Sequence, residues 1–214
     1  LLGFFVSSTL LSRLGKTRKR AIGEIAKGGA RDALQVAANG GIGTLCALGW
    51  GLSGESAWIV SFAGAYAAAT ADTWGTEIGM LARGLPRSIL TGKPLATGLS
   101  GGVSLPGTAA EVAGALGIAA LALLVMGGNL TLGLAGVIAI AGIGGALVDS
   151  LLGATLQARR WCQACERECE NDPHACGTPT LHRRGLAWCS NDGVNLVATL
   201  VGATLAGGLA VIIR

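Results

Sequence analysis

An all-α, polytopic membrane bundle is the fold class this sequence predicts, and three observations carry that expectation. Hydrophobic residues make up 51% of the 214 positions and charged ones only 13%, with a mean hydropathy of +0.58. An ordinary soluble domain carries about a quarter charged residues. Aromatics are scarce at 4% while glycine alone fills 36 positions, the small-residue mixture that lets membrane helices approach closely. The apolar runs also approach the roughly 20 residues needed to cross hydrocarbon. They lack the frequent turn signals that a soluble Ala/Gly-rich α/β domain would require.

Taken in order, the chain opens inside an apolar run, Leu1–Leu11, followed rather than preceded by Arg and Lys. That order suits a partial first span better than a cleaved leader. Five full spans follow, at Ala33–Leu52, Ala57–Met80, Ala109–Met126, Leu130–Leu152 and Val194–Ile213. The whole of 1–214 reads as one integral membrane domain, with 159–190 as a Cys/His-rich loop within it.

Basic residues set the orientation. Arg13–Arg31 holds Arg13, Lys16, Arg18, Lys19, Arg20, Lys27 and Arg31; Arg83–Pro106 holds Arg83, Arg87 and Lys93; Arg159–Arg184 holds Arg159, Arg160, Arg167, Arg183 and Arg184. With six spans, all three segments fall on one side. The opposite connections, near Ser53–Ser56 and Gly127–Asn129, carry no Lys or Arg. The basic side is therefore expected to be cytoplasmic in a prokaryotic plasma membrane, or stromal in a plastid.

Polar residues gather on that same side. Asp32, Gln35 and Asn39 share a face at the start of the second span. Asp72, Thr73, Thr76 and Glu77 close the third, Asp149 and Ser150 close the fifth, and Asn191, Asp192 and Asn195 open the sixth. Helix caps alone would scatter such groups over both faces. Carboxylates at membrane depth are costly and mark functional sites by default. Asp72, Glu77, Asp149 and Asp192 are hard oxygen donors of the kind Mg²⁺ shares with substrate phosphates. Asp72 and Glu77 diverge by about 140° on a regular helix, so sharing one ion requires the helix to fray near Gly75 or water to intervene. Glu111 reads as a first-turn acid of the fourth span, and Asp192 also suits a helix start.

The loop Gly84–Gly107 has three prolines, many glycines, five Ser/Thr residues and no carboxylate. Bare backbone N–H groups with Lys93 and Arg87 suit phosphate, although Lys93-Pro94 breaks any Walker pattern; a plain linker is the alternative. Five of the six cysteines lie between Cys162 and Cys189. Cys162-x2-Cys165 followed by His174-x-Cys176 supplies four donors for a tetrahedral zinc site, with Cys169, His182 and Cys189 as alternates. A reducing cytoplasmic setting disfavours disulfides. Cys46, in mid-span, reads as an apolar filler.

Several motifs together resemble a known family. They are Arg31-Asp32-Ala33-Leu34-Gln35-Val36-Ala37-Ala38-Asn39-Gly40-Gly41, Ala71-Asp72-Thr73-Trp74-Gly75-Thr76-Glu77-Ile78-Gly79, Thr91-Gly92-Lys93-Pro94, Gly101-Gly102-Val103-Ser104, the stretch Gly144–Gln157 with Asp149 at its centre, and Asn191-Asp192-Gly193-Val194-Asn195. They are similar to the integral-membrane family of plant and cyanobacterial phytyl-phosphate kinase, across nearly the whole chain. The Cys/His loop resembles that of microbial members.

The resemblance implies phosphoryl transfer from a nucleoside triphosphate, with CTP as donor, to an isoprenyl monophosphate in the membrane. The product is then the diphosphate. On this reading Asp72, Glu77 and Asp149 hold Mg²⁺, and Arg31, Arg87 and Lys93 with Lys19 clamp phosphates. Thr91, Ser104 and Asp192 add polar contacts to phosphate or nucleotide, and Asn39 and Asn195 orient oxygens. The expected partners are the isoprenyl phosphate, the nucleotide and the lipid bilayer, with no nucleic acid. Small-residue faces such as Gly145/Asp149/Gly153 are compatible with a homodimer as well as with packing inside one bundle. The rival readings are a CTP-dependent nucleotidyltransferase acting on a lipid phosphate, a transporter and a non-catalytic lipid-phosphate binder. A transporter would favour inverted repeats meeting at the midplane, and no such repeat is evident.

Overall fold

The computed structural model describes residues 1–22 and 33–213. Its helices are α1 (Leu2–Arg13), α2 (Lys16–Ile22), α3 (Ala33–Ser53), α4 (Ser56–Gly79), α5 (Leu105–Met126), α6 (Leu132–Thr155) and α7 (Asn191–Ile212). The five long helices lie where the apolar runs placed spans. α5 begins four residues earlier than expected, because Ser104 caps it by accepting from Gly107 N at 3.2 Å and Pro106 sits in the first turn. Among the described residues, three helices are long and apolar enough to cross a membrane: Leu105–Asn129 (α5 with the short 3-10 turn that extends it), Leu132–Thr155 and Asn191–Ile212. α3 and α4 have the length, at 21 and 24 residues, but are less apolar on average than the other three.

α4 is the central element. It packs against α1, α3, α5, α6 and α7, and every residue from Ala63 to Ala71 is buried. A helix buried all round must be narrow, and Ala-Gly-Ala-Tyr-Ala-Ala-Ala is narrow. Glycines of the neighbours complete the fit. A Cβ at Gly145 of α6 would stand 2.5 Å from Ala68 Cβ and 2.8 Å from Ala198 O, and one at Gly142 would stand 2.7 Å from Ala67 Cβ. Gly64 of α4 lies against the Gly202 carbonyl and Ala206 of α7, with no room for a side chain.

The large apolar side chains point outward. Leu52 is 90% exposed, Leu124 81% and Ile140 64%, while Ala65, Ala67 and Ala68 are at 0%. In water that distribution would be costly; in lipid it is the expected one, since hydrocarbon solvates leucine and helices associate through small residues. Sequence pattern and structure therefore agree on a helical membrane protein. Near the α1 side, Tyr66 packs between Phe62 and Phe4, with ring centroids 4.9 and 5.9 Å away.

The two long connections form small sheets that the sequence did not announce. β1 (Arg87–Ser88) pairs antiparallel with β2 (Gly102–Val103). β3 (Arg159–Cys162) lies between β4 (Arg167–Cys169) and β5 (Leu181–Arg184), both antiparallel to it.

Candidate functional site

Polar helix ends converge on one cleft of about 960 Å³. It is lined by the C-terminal ends of α1, α4 and α6, the N-terminal ends of α3, α5 and α7, and parts of the connections between them. Asp72, Glu77, Asp149, Asn39, Asn195, Lys19, Ser104 and Asp192 all line it.

Its deep wall is acidic. Asp72 on α4, Asp149 on α6 and Glu111 of α5 line the cleft together, with the Glu111 side chain against Gly75 of α4. Asp149 Oδ2 is buried and has no hydrogen-bond partner among the described residues. Gly75 makes the third acid possible, because a Cβ there would lie on the Glu111 side chain. Carboxylates gathered this closely repel one another unless a cation or proton sits among them.

Two expectations need correction here. Glu111 is not a first-turn acid: with α5 starting at Leu105 it is the helix's seventh residue, facing α4. Glu77 does not join Asp72; it forms an ion pair with Lys19 of α2. α4 stays helical through Gly75, so the divergence of about 140° between positions 72 and 77 holds. Lys19 is buried and also donates to Leu11 O at 2.9 Å. Gly15, at φ +63°, turns the chain back so that α2 can reach α4; Arg18 Nη2 donates to Ala82 O at 2.8 Å.

Two helix N-termini open on the same cleft. Ser104 caps α5, and Ser190 caps α7 by accepting from Gly193 N at 3.4 Å. Such ends present free N–H groups and positive potential to anions. The Gly84–Gly107 loop divides in two. Thr97–Ser104 lines the cleft, whereas Arg87, Thr91 and Lys93 are exposed and stand outside its lining. Arg87 Nη1 instead donates to Gly92 O at 2.8 Å across its own turn. Arg31 and Asp32 lie outside the described residues. Asn39 donates to Gln35 O at 3.0 Å, and Asn195 is buried.

Beyond the bundle, the Cys/His loop closes a compact cluster. The ligand atoms of Cys162, Cys165, His174 and Cys176 all lie within 4.8 Å of one another. Cys162 Sγ and Cys176 Sγ are 3.6 Å apart, and His174 Nδ1 is 3.1 Å from Cys176 Sγ and 3.6 Å from Cys165 Sγ. A tetrahedral zinc ion needs ligand atoms roughly 3.5–3.8 Å apart. The set could therefore hold a metal ion; the alternates Cys169, His182 and Cys189 stand outside it. Hydrogen bonding from Thr178 and His174 pulls the Cys176 thiol down to about 5, and donating to Cys176 pushes Cys165 up to about 11.

Glu170 links this loop to the cleft, which it lines. Ser100 N donates to its Oε1 at 2.7 Å, Ser100 Oγ to its Oε2 at 2.8 Å, and Gln157 Nε2 to Oε2 at 2.7 Å. Burial pushes this carboxyl above its ordinary range, against those Ser100 hydrogen bonds and the charges of Arg159 and Arg184. Glu170, Gln157 and Arg159 had no periodic or motif signal of their own, apart from Gln157 closing the Gly144–Gln157 stretch.

Fold and site together define a helical membrane protein with an acidic cleft at one end of its bundle and a Cys3His cluster beside it. The chain belongs to the integral membrane protein family DUF92, whose model matches residues 1–203. It is 33% identical over 231 residues to Protein PGR of Arabidopsis thaliana, covering 96% of this chain and 78% of that protein. It is 31% identical over 205 residues to the uncharacterized membrane protein MJ0933 of Methanocaldococcus jannaschii, covering 96% and 72%. No solved structure matches it.

Proposed function

We propose that this protein is a membrane-embedded kinase that moves a phosphoryl group from a nucleoside triphosphate to an isoprenyl monophosphate, giving the diphosphate. The observation that carries the reading is one cleft lined by three neighbouring carboxylates, two helix N-termini and a group of apolar side chains. Leu1, Phe4 and Phe5 at the α1 side, Val36 of α3 and Tyr66 of α4 supply that apolar part of its lining. A lipid tail suits them, while a phosphate head suits the polar end.

A Mg²⁺-type cation is the candidate occupant on this reading: the donors are hard oxygens, one buried oxygen of Asp149 lacks a partner among the described residues, and Gly75 leaves room for Glu111; the three acids do not close as tightly as the Cys/His cluster, so waters would complete the shell. Asp72, Asp149 and Glu111 would hold it; when bound, it supplies charge neutralisation at phosphate oxygens. Backbone N–H groups at the starts of α5 and α7 bind phosphate oxygens. Asn39 and Asn195 orient them, and Lys19 and Glu77 brace the α2 side of the cleft. Phosphoryl transfer needs mainly positioning and charge stabilisation. The acceptor phosphate is already ionised, so the reading assigns no general base. CTP as donor follows from the family resemblance; no cleft residue is assigned to the base. The accompanying topology has about six spans, the partial α1 and then α3–α7, with the basic connections in the cytoplasm or stroma.

The test is turnover by purified protein in lipid with Mg²⁺, phytyl or geranylgeranyl monophosphate, and CTP labelled at the α or the γ phosphate. Transfer of the γ label with release of CDP is expected. Transfer of the α label would replace the kinase with a nucleotidyltransferase. No transfer from any nucleoside triphosphate would leave a binder or transporter.

A further inference from the structure

Ser100 is held from both sides by the hairpin that carries the Cys3His cluster. Arg159, at the start of β3, donates to Ser100 O at 3.0 Å, while Glu170, just past β4, accepts from Ser100 N and Oγ. The register explains why these two act together. Arg160 pairs with Cys169 and Cys162 with Arg167, so Arg159 and Glu170 fall side by side at the open base of the hairpin. Cys162 and Cys165 form its closed tip. His174 and Cys176 fold back on that tip, and Asp172 fixes their turn by accepting from Thr180 N at 2.9 Å.

The next residue, Gly101, is wedged against α6. At φ +80°, its position for a Cβ lies 2.5 Å from Ala154 Cβ, and a Cβ on Gly153 would stand 2.8 Å from Ser100 Cβ. Ser100-Gly101 is thus clamped between the hairpin and the end of the helix that carries Asp149. Strands of three or four residues cannot hold such a clamp by apolar burial alone, and small units of this kind depend on a staple such as a metal.

We propose that the Cys162, Cys165, His174 and Cys176 centre takes a zinc ion, and that this ion, through the hairpin it closes, sets the position of the Thr97–Ser104 wall of the cleft. Glu170 is the positioning residue. Its consequence for turnover rests on the kinase reading; the mechanical link does not.

The experiment uses the full chain in lipid nanodiscs, with zinc content and hydrogen exchange of the peptide spanning 97–104 as readouts. One zinc per chain is expected. Stripping it with a chelator speeds exchange of that peptide by about tenfold, and restoring zinc reverses the change. Glu170→Ala gives the same local loosening with zinc retained, and Glu170→Gln, which keeps one acceptor oxygen, recovers part of the protection. Cys176→Ser loses the zinc and loosens the peptide. A native chain that binds no zinc would overturn the proposal. So would a zinc-free chain, or a zinc-loaded Glu170→Ala chain, whose 97–104 peptide stays fully protected. A chain that passes these tests yet transfers no phosphoryl group refutes the kinase and leaves the link standing.

Discussion

The bundle and the hairpin beside it are built on opposite terms. In the bundle, α4 and its neighbours meet through alanine and glycine, and cohesion comes from backbones brought close together. The hairpin of β3–β5 has almost no apolar interior, and β5 is exposed along its length. It is held by the Arg159–Glu168 pair at 3.1 Å, the Arg160–Asp172 pair at 3.1 Å and the Glu170 hydrogen bonds, with the Cys3His cluster, which could hold a metal ion, at its tip. One region resists any added atom; the other resists loss of a donor. The cleft lies where the two meet, so its acids come from the stiff part and one of its walls from the stapled part.

That contrast can be tested at graded positions. The largest effect belongs to the acid cluster: Asp149→Asn is expected to lower turnover on the order of a thousandfold with helix content by circular dichroism unchanged. Intact turnover would remove the cluster from the reaction. Next comes overpacking in the bundle. Gly64→Val sets a side chain on the Gly202 carbonyl and should destabilise the protein by about 3 kcal/mol, read as a lower melting temperature in detergent; an unchanged melt would mean α4 and α7 can part easily.

The hairpin gives a smaller, pH-dependent effect. Burial raises Glu170 above its ordinary value of 4.5, so the folded state binds that proton more tightly than the unfolded chain. The contribution is fully present below about pH 4.5 and is lost as pH rises through the raised value. The melting temperature of the native chain relative to Glu170→Gln should therefore fall as pH rises; the opposite slope would assign Glu170 to its cationic neighbours rather than to burial. The smallest effect is at the loop tip. Lys93→Ala should change turnover by less than about twofold, because surface changes away from a site usually act weakly; a large rise in KM for nucleotide would return the tip to the site.

Much of this arrangement can be read before any coordinates. The apolar runs located the five long helices, and alternation along the chain brought Asp72, Asp149, Asn39 and Asn195 to one end. The Cys162-x2-Cys165 and His174-x-Cys176 spacing picked out the four clustered ligands from seven Cys and His candidates in that loop. Glu111 was misread because the helix start was taken from hydropathy, which rises only at Ala109. The better signal was Ser104-Leu105-Pro106, a cap followed by a first-turn proline. Lys93 and Arg87 stand outside the cleft lining, a placement the sequence does not give because charge and glycine mark a flexible loop equally well at its tip and at its base. Glu170 and Arg159 lie in two- to four-residue strands and turns, too short for any period to show, and their partner Ser100 is 70 residues from Glu170 in the chain.

The alanine-rich interior of α4 has a further consequence. Alanine and glycine have no rotamers to freeze, whereas an ordered leucine surrenders about 0.5–1 kcal/mol of side-chain entropy. Here many leucines stay at the lipid boundary, where their torsions remain free, and Ala63–Ala71, apart from Tyr66 and Thr70, has no side-chain torsions to disorder. Asp72 follows directly on that stretch. Its carboxyl is thus carried on a support with few alternative states, and its aim toward Asp149 is set by backbone geometry.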